Sequence, residues 1–167
     1  MSGFPFTVEP LAGQDRSRFS SGADALDRYF QIQVSQDIRR RVTACYVAVE
    51  SATGTIAGFY TLSASDIPLT AIPAELAKKL PRYPAVPAAR IGRLAVDQGY
   101  RGQKLGSALL FNAIARAARS EVAIFALVVD AKDDEAEAFY RHHGFQNFGS
   151  IPRQLLATID GFKGLLR

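Results

Sequence analysis

The 167-residue sequence predicts a mixed α/β fold, a central sheet with helices on its faces. Segments rich in β-branched and aromatic residues, typical of strands, alternate with segments whose apolar residues recur at helical spacing. The order is strand, helix, two or more strands, strand–turn–helix, strand, helix and closing strands. The length suits one domain with its own core, so we expect a single domain over residues 1–167.

The first third of the chain predicts a strand, a helix and a hairpin. "FTVEPL" is typical of a strand, and "ADALDRYFQIQVSQDIRRR" has its apolar residues at helical spacing, with Asp24 as the expected N-cap. "TACYVAVES" and "GTIAGFYTLSA" are separated by a short polar turn, which indicates a hairpin.

The middle of the chain is broken by prolines and then becomes regular. Five prolines between Ile67 and Pro87 leave room for one short helix at "AELAKKL". "ARIGRLAV" predicts a buried strand, and after the turn that follows it one apolar face indicates a helix.

The last third predicts a buried strand, a short helix and two closing strands. "VAIFALVVD" is continuously apolar, as in strands covered on both faces. "DDEAEAFYRHHGF" has acids in its first turn and Gly144 as the expected C-cap. "FQNFGS" and "RQLLATI" complete the sheet.

Charge is distributed unevenly along the chain. Residues 130–137 contain five acids and one base, so the rest of a chain whose net charge is +4 carries +8. Such a surface favours polyanions, although a solvated basic protein has the same composition. The basic residues that stand out are Arg39, Arg40, Arg41, Lys78, Lys79, Arg82, Arg90 and Arg93.

The composition also predicts the compartment. No apolar run approaches the length of a membrane span, the N-terminus lacks the layout of a signal peptide, and the single cysteine, Cys45, excludes an internal disulfide. We therefore expect a cytoplasmic protein.

The segment "YRGQKLGSALL" is a glycine turn that opens a helix, which is how backbone amides bind phosphate. It does not fit the P-loop, because no lysine–hydroxyl pair follows Gly106, and the dinucleotide fingerprint fails on glycine spacing. The pattern [QR]-x-x-G-x-[GA], whose amides hold the pyrophosphate of coenzyme A, matches at Arg101 and Gly106, with Lys104 in place of its central glycine.

Two stretches together resemble the GNAT acyltransferase superfamily: "RLAVDQGYRGQKLGSALL" and, after a helix and a strand, "AEAFYRHHGF". Residues 19–148 more specifically resemble the GNAT toxins of bacterial type II toxin–antitoxin systems. The resemblance implies the GNAT fold, with a central mixed, mostly antiparallel sheet and helices on both faces. It also implies acetyl transfer from acetyl-CoA to the free α-amino group of aminoacyl-tRNA, which blocks translation. No cluster of cysteine, histidine and carboxylate residues in the sequence suggests a metal, so none is expected.

The resemblance also implies the site residues. The coenzyme would lie against Leu94, Ala95, Val96, Arg101, Gly102, Gln103, Lys104, Leu105, Gly106 and Ser107. A backbone amide of the strand would polarise the thioester carbonyl. Tyr140 would be the general acid that protonates the departing thiolate; from position alone, a tyrosine that packs on the core is an equal alternative. His142 and His143 are interpreted as helix-terminal charges.

Two residues depart from the superfamily pattern. If the turn needs a positive φ at Lys104, coenzyme binding is weakened; with an ordinary φ the ammonium could add to phosphate binding. Asp133 occupies a position at which many members have an asparagine that faces the coenzyme, so that role is not assigned to it.

The acceptor is expected to be an α-amine. Such an amine titrates near 7.7–8.0, so part of it is neutral at pH 7, whereas a lysine needs a dedicated base that the sequence does not offer. The basic residues above are the candidates to bind tRNA phosphates. Arg93 is either a contact near the acceptor end or a structural arginine that binds backbone carbonyls.

The implied partners are aminoacyl-tRNA, a ribbon–helix–helix antitoxin, operator DNA through that antitoxin for repression, and a second copy in a homodimer. No membrane partner is expected. Two alternatives remain: a GNAT enzyme that acetylates a small amine or a protein N-terminus, and an inactive acyl-CoA-binding module.

Overall fold

The computed structural model describes residues 3–165, with the side chain of Leu165 excepted. Its internal contacts divide the chain into two compact units. The first comprises the residues up to Ser63 together with Gly92–Ala113, and the second comprises Ala64–Ile91 together with the chain from Ile114 onward.

The first unit is built on an antiparallel ladder of β1 (Phe6–Pro10), β2 (Ala44–Glu50) and the beginning of β3 (Ile56–Pro68). Its helices are α1 (Asp24–Arg28), a π-helix (Tyr29–Gln33), α2 (Val34–Arg39) and the start of α4 (Leu105–Ala118). Its core is aromatic, with Phe30 stacked on Phe59 at a ring-centroid distance of 4.2 Å.

The second unit contains α3 (Ala74–Ala77), the start of β4 (Ala85–Val96), β5 (Ala126–Asp130), α5 (Asp134–His142), β6 (Gln146–Asn147) and β7 (Gln154–Thr158). β4 and β5 pair in parallel, and β7 pairs antiparallel with both β5 and β6. Its core is mostly aliphatic, from Ile67, Val86, Val128 and Leu156.

The strands form a seven-stranded sheet in the order β1-β2-β3-β4-β5-β7-β6. The predicted mixed, mostly antiparallel sheet is therefore confirmed, and its parallel pair is β4 with β5. Among the described residues, no helix has both the length and the apolarity that crossing a bilayer requires.

Three local predictions are corrected. Asp24 is the first residue of α1 and not its cap, because Ala23 has the extended φ and ψ of the cap position. The predicted helix over residues 23–41 is continuous but passes through the π-helix. The strand predicted from Val122 begins only at Ala126, since residues 122 to 125 precede the β4–β5 ladder.

Candidate active site

The end of β4 is the first part of the candidate site. Its pairing with β5 stops at Ile91, so Leu94, Ala95 and Val96 lie beyond that register. On the other side, Asp97 N donates to Ala57 O at 2.8 Å. A Cβ at Gly58 would lie 2.9 Å from both Ala95 O and Leu109 Cδ1. The glycine thus permits a close approach that fixes this stretch of backbone.

The entry to the glycine turn is anchored by Asp97. One carboxylate oxygen accepts from Gly99 N at 2.8 Å, and the other accepts from Ser20 N at 2.9 Å. Tyr100 Oη then donates to Glu50 at 2.8 Å. These bonds hold the turn from segments far away in sequence.

Arg101 has a structural contact that its motif position does not reveal. Its Nη2 donates to Ser21 O at 2.5 Å, in the loop before α1. The neighbouring Gly22 has φ +92°, and a Cβ there would lie 2.6 Å from Gln98 Nε2. The guanidinium therefore ties the turn to this loop.

The turn itself has the backbone of an anion cradle. Gly102 has φ +82°, and a Cβ there would meet nothing within 4 Å. A glycine is therefore required here by the backbone conformation and not by lack of room for a side chain. The first i→i−4 bond of α4 runs from Ala108 N to Lys104 O at 3.2 Å. The amides of Leu105 and Gly106 precede it, as in helix termini that bind phosphate. This geometry fits the pyrophosphate of coenzyme A.

Lys104 settles the alternative that its sequence position left open. Its φ is 60°, in the left-handed region that costs a residue with a Cβ about 1 kcal/mol or more. The premise for weakened coenzyme binding is thus met. The same side chain is exposed at the turn, where its ammonium adds positive charge.

Tyr140 lies on α5 in the second unit and is 7% exposed. Its ring packs edge-on against Phe139 and Phe145, with centroids 5.2 and 5.5 Å away. Burial raises the pKa of its hydroxyl well above the usual 10. In the part of the chain that the structure describes, this hydroxyl has no hydrogen-bond partner.

The ends of α5 are fixed by the residues around Tyr140. Asp133 caps the helix by accepting from Ala136 N at 2.8 Å, which is the use of its carboxylate in this structure. At the other end, Gly144 has φ +96° and His143 Nδ1 lies 2.8 Å from Phe139 O. His142 ends the helix, so both histidines are helix-terminal, as predicted.

The predicted basic residues divide into paired and unpaired ones. Arg90 is half-buried and forms an ion pair with Asp130, whereas Lys78 forms an exposed one with Glu75 at 3.1 Å. The others have no ion pair within residues 3–165: Arg39, Arg40, Arg41, Lys79, Arg82 and Arg93. Lys78, Lys79 and Arg82 form one exposed segment after α3, and Arg39 to Arg41 form another at the end of α2.

Arg93 does not take the structural role that the sequence offered, because within residues 3–165 it binds no backbone carbonyl, and the contact near the acceptor end stays a prediction. Its guanidinium lies over the ring of Tyr29, 3.5 Å from the centroid. Tyr29 Oη donates to Asp37 at 2.8 Å. Sequence reasoning missed Tyr29 and Asp37, because the helical pattern marks the first only as a core residue and the second as an exposed acid.

Residues 3–165 contain no group of three or more histidine, cysteine, aspartate or glutamate side chains arranged to hold a metal ion.

The strand end, glycine turn and helix have the arrangement expected of a coenzyme A-dependent acyltransferase, and the chain belongs to the GNAT acetyltransferase family, whose profile matches residues 13–145. It is 30% identical over 168 residues to a tRNA-acetylating toxin of Mycobacterium tuberculosis, with 99% of each chain covered.

Two solved structures are similar over nearly the whole chain. AtaT complexed with acetyl-methionyl-tRNAfMet superposes with a TM-score of 0.88 at 27% identity, covering 97% of this chain and 99% of that one. AtaTR bound with acetyl-CoA has a TM-score of 0.81 at 27% identity, covering 98% and 99%.

Proposed function

We propose that this protein is the toxin of a type II toxin–antitoxin pair. It transfers the acetyl group of acetyl-CoA to the free α-amino group of aminoacyl-tRNA and so blocks translation. The observation that carries the proposal is the full-length similarity to a tRNA-acetylating toxin. The similarity to AtaT, solved with acetyl-methionyl-tRNAfMet, supports the same acceptor.

The strand end and the turn are proposed to hold the coenzyme, which supplies the thioester that is cleaved. Its pyrophosphate is bound by the backbone of residues 101–104, which contains Gln103, and by the amides at the start of α4, where Ser107 lies. An amide among Leu94, Ala95 and Val96 polarises the thioester carbonyl, because β4 has left its ladder with β5 there.

Tyr140 is proposed as the general acid. As the C–S bond breaks, its electron pair passes to sulfur, and Tyr140 Oη gives the sulfur its proton. The tyrosinate regains a proton from the nitrogen that has just been acylated, so the products are a neutral amide and a thiol. One observation supports this role: the hydroxyl has no hydrogen-bond partner in the described chain, so its proton is not engaged by another side chain.

The acceptor amine needs no separate base on this proposal. An α-amino group titrates near 7.7–8.0, and a useful fraction is neutral at pH 7. The tRNA backbone is proposed to bind exposed basic residues. Those without an ion pair in the described chain are Arg39, Arg40, Lys79, Arg82 and Arg93, and Lys78 is included with them. Arg90 is the weakest of the predicted contacts, because Asp130 neutralises it.

The partners follow from the same similarity. The AtaT–AtaR complex bound to DNA has a TM-score of 0.76 at 26% identity to this chain. By analogy, we propose that this protein binds an antitoxin of the ribbon–helix–helix type and reaches operator DNA through it. A homodimer is proposed as the toxin's own assembly.

The deciding experiment is incubation with labelled acetyl-CoA and charged total tRNA. Label should appear on the amino acid released from tRNA, and Gly106→Glu, which places a carboxylate against the pyrophosphate, should abolish both labelling and coenzyme binding. Transfer to small amines or protein N-termini, with none to charged tRNA, would overturn the toxin proposal.

The positive φ of Lys104 favours one alternative, an inactive acyl-CoA-binding module. Lys104→Gly relieves the strain at this position, worth about 1 kcal/mol, and because the strain is present without coenzyme, the change should mainly stabilise the fold. Tighter acetyl-CoA binding by the variant in calorimetry would show that Lys104 also weakens the coenzyme site. A wild type that binds acetyl-CoA but transfers its acetyl group neither to charged tRNA nor to small amines would favour the inactive module.

A further inference from the structure

The guanidinium of Arg93 is held in place without using its hydrogen-bond donors. Its central carbon lies 3.5 Å from the ring centroid of Tyr29, so the contact is with the face of the ring. A stacked guanidinium keeps its N–H edge uncovered. Among residues 3–165 that edge has no acceptor. An exposed arginine with a fixed plane and free donors suits a phosphate, which accepts two parallel hydrogen bonds.

Tyr29 is itself fixed by neighbours within the same helical segment. The side chain is 9% exposed, and its Oη donates to Asp37 Oδ2 at 2.8 Å. The other oxygen of Asp37 accepts from Gln33 Nε2 at 3.1 Å. Asp37 is thus committed to Tyr29 and Gln33, and it forms no ion pair with Arg93 within 4 Å. The aromatic platform is thus held by hydrogen bonds, and Arg93 keeps its donors free although the nearby Asp37 carboxylate attracts it electrostatically.

The backbone of Arg93 is also fixed. Arg93 N donates to Thr61 Oγ1 at 3.0 Å, and Thr61 is 2% exposed. A Cβ at the preceding Gly92 would lie 2.9 Å from that same Oγ1. The glycine therefore allows β4 to approach Thr61 closely, which determines where the arginine side chain begins.

We propose that Tyr29, Asp37 and Thr61 are positioning residues that hold Arg93 as a preformed receptor for one phosphate group. The inference rests on the proposed function, since it places a phosphate of the tRNA backbone there. Coenzyme A carries phosphates too, so the test must separate these two sources. Lys78, Lys79 and Arg82 are exposed as Arg93 is, but no aromatic ring within residues 3–165 lies under them, so they act as diffuse charge.

The first experiment measures acetylation kinetics with separate KM values for aminoacyl-tRNA and acetyl-CoA. Arg93→Lys keeps the charge but loses the planar fork, and it should raise KM for tRNA on the order of tenfold. The kcat and the KM for acetyl-CoA should stay the same. Arg16→Lys is the matched control. The Arg16 guanidinium also lies near an aromatic ring, 6.0 Å from the centroid of Phe30, but it already donates to Phe30 O at 2.9 Å. The KM of this variant for tRNA should not change.

The second experiment is a double-mutant cycle that a merely structural role would not reproduce. Tyr29→Leu removes the ring face and should raise KM for tRNA severalfold when Arg93 is present. In the Arg93→Ala background it should have no further effect, because the group that it positions is gone. Tyr29→Phe keeps the ring face and replaces Tyr29→Leu in the cycle if that variant does not fold. It should raise KM for tRNA by less, and this rise should also vanish in the Arg93→Ala background.

The remaining outcomes decide against the receptor. Equal effects of the Tyr29 change in both backgrounds would overturn the positioning role. A rise in KM for acetyl-CoA alone would assign the phosphate to the coenzyme and overturn the tRNA assignment. If the wild type acetylates no charged tRNA, the proposed function fails separately, and direct titration with uncharged tRNA still tests the receptor: equal Kd for the wild type and Arg93→Lys would overturn it.

Discussion

Two buried tyrosines, Tyr29 on the π-helix and Tyr140 on α5, have similar burial but opposite hydroxyl environments. They are 9% and 7% exposed. Burial raises the pKa of both, that of Tyr29 to about 12 and that of Tyr140 further. Tyr29 Oη donates a hydrogen bond to Asp37, whereas Tyr140 has aromatic neighbours and no partner for its hydroxyl in the described chain.

The hydrogen-bond partners of the two hydroxyls, and not their burial, predict different roles for the two residues. A hydroxyl that donates a hydrogen bond to a carboxylate fixes its ring, and the ring of Tyr29 lies under Arg93. A proton with no acceptor can be delivered to a leaving group. The same substitution, tyrosine to phenylalanine, should therefore affect kcat at one position and KM for tRNA at the other.

The largest expected effect is that of Tyr140→Phe. It removes the proposed acid, so kcat should fall by roughly 10²–10⁴-fold while acetyl-CoA affinity in calorimetry stays the same. Growth arrest on expression of the wild type should be relieved in the variant. An equally active and equally toxic Tyr140→Phe would show that the ring only packs on the core. Tyr140 would then have no catalytic role to set against the positioning role of Tyr29.

The next effect separates positioned from diffuse charge. Reversal of Lys78, Lys79 and Arg82 to glutamate should weaken tRNA binding and lower the slope of log Kd against log salt by up to about three, because fewer counterions are released. Acetyl-CoA binding should stay the same. Wild-type acetylation across a salt titration would remove this segment as a tRNA contact, and Arg39 to Arg41 would be tested next.

A smaller effect is expected from Tyr29→Phe. The ring face remains but its bond to Asp37 is lost, so KM for tRNA should rise about threefold with kcat unchanged, in line with one hydrogen bond. Tyr100→Phe is the matched control, since Tyr100 also donates to a carboxylate, Glu50, at 2.8 Å. It should leave KM for tRNA unchanged. A fall in kcat for Tyr29→Phe would contradict the distinction between the two tyrosines.

The last predicted effect is on alkaline stability and leaves activity at neutral pH aside. The raised pKa of Tyr140 means that above about pH 10 the unfolded chain loses a proton that the folded chain keeps. Stability that is complete below pH 10 is therefore lost as pH rises towards the folded pKa. In Tyr140→Phe, the decline of unfolding free energy with pH above 10 should be shallower by up to about 1.4 kcal/mol per pH unit. Urea unfolding at several alkaline pH values measures it, and an unchanged slope would contradict the raised pKa.

Much of the fold was predictable because its signals are local. The apolar face of α4, the hairpin of β2 and β3 and the acidic first turn of α5 each depend on residues within one or two turns of one another. The prediction failed where the tertiary context decides: β5 starts at Ala126 because its ladder with β4 begins there, and the π-helix lies within one apolar pattern. The roles assigned to the site residues stay predictions.

The sequence by itself determined the strand–turn–helix at residues 94–107, since glycine spacing and helical periodicity are properties of neighbouring residues. It also determined the general basicity of the chain. Only the tertiary structure decided which cations are available: Arg90 meets Asp130 and Arg93 meets Tyr29, each across dozens of residues. It likewise decided that Lys104 adopts a positive φ. The physical reason is that pairing, stacking and backbone strain depend on distances that folding sets between segments remote in sequence.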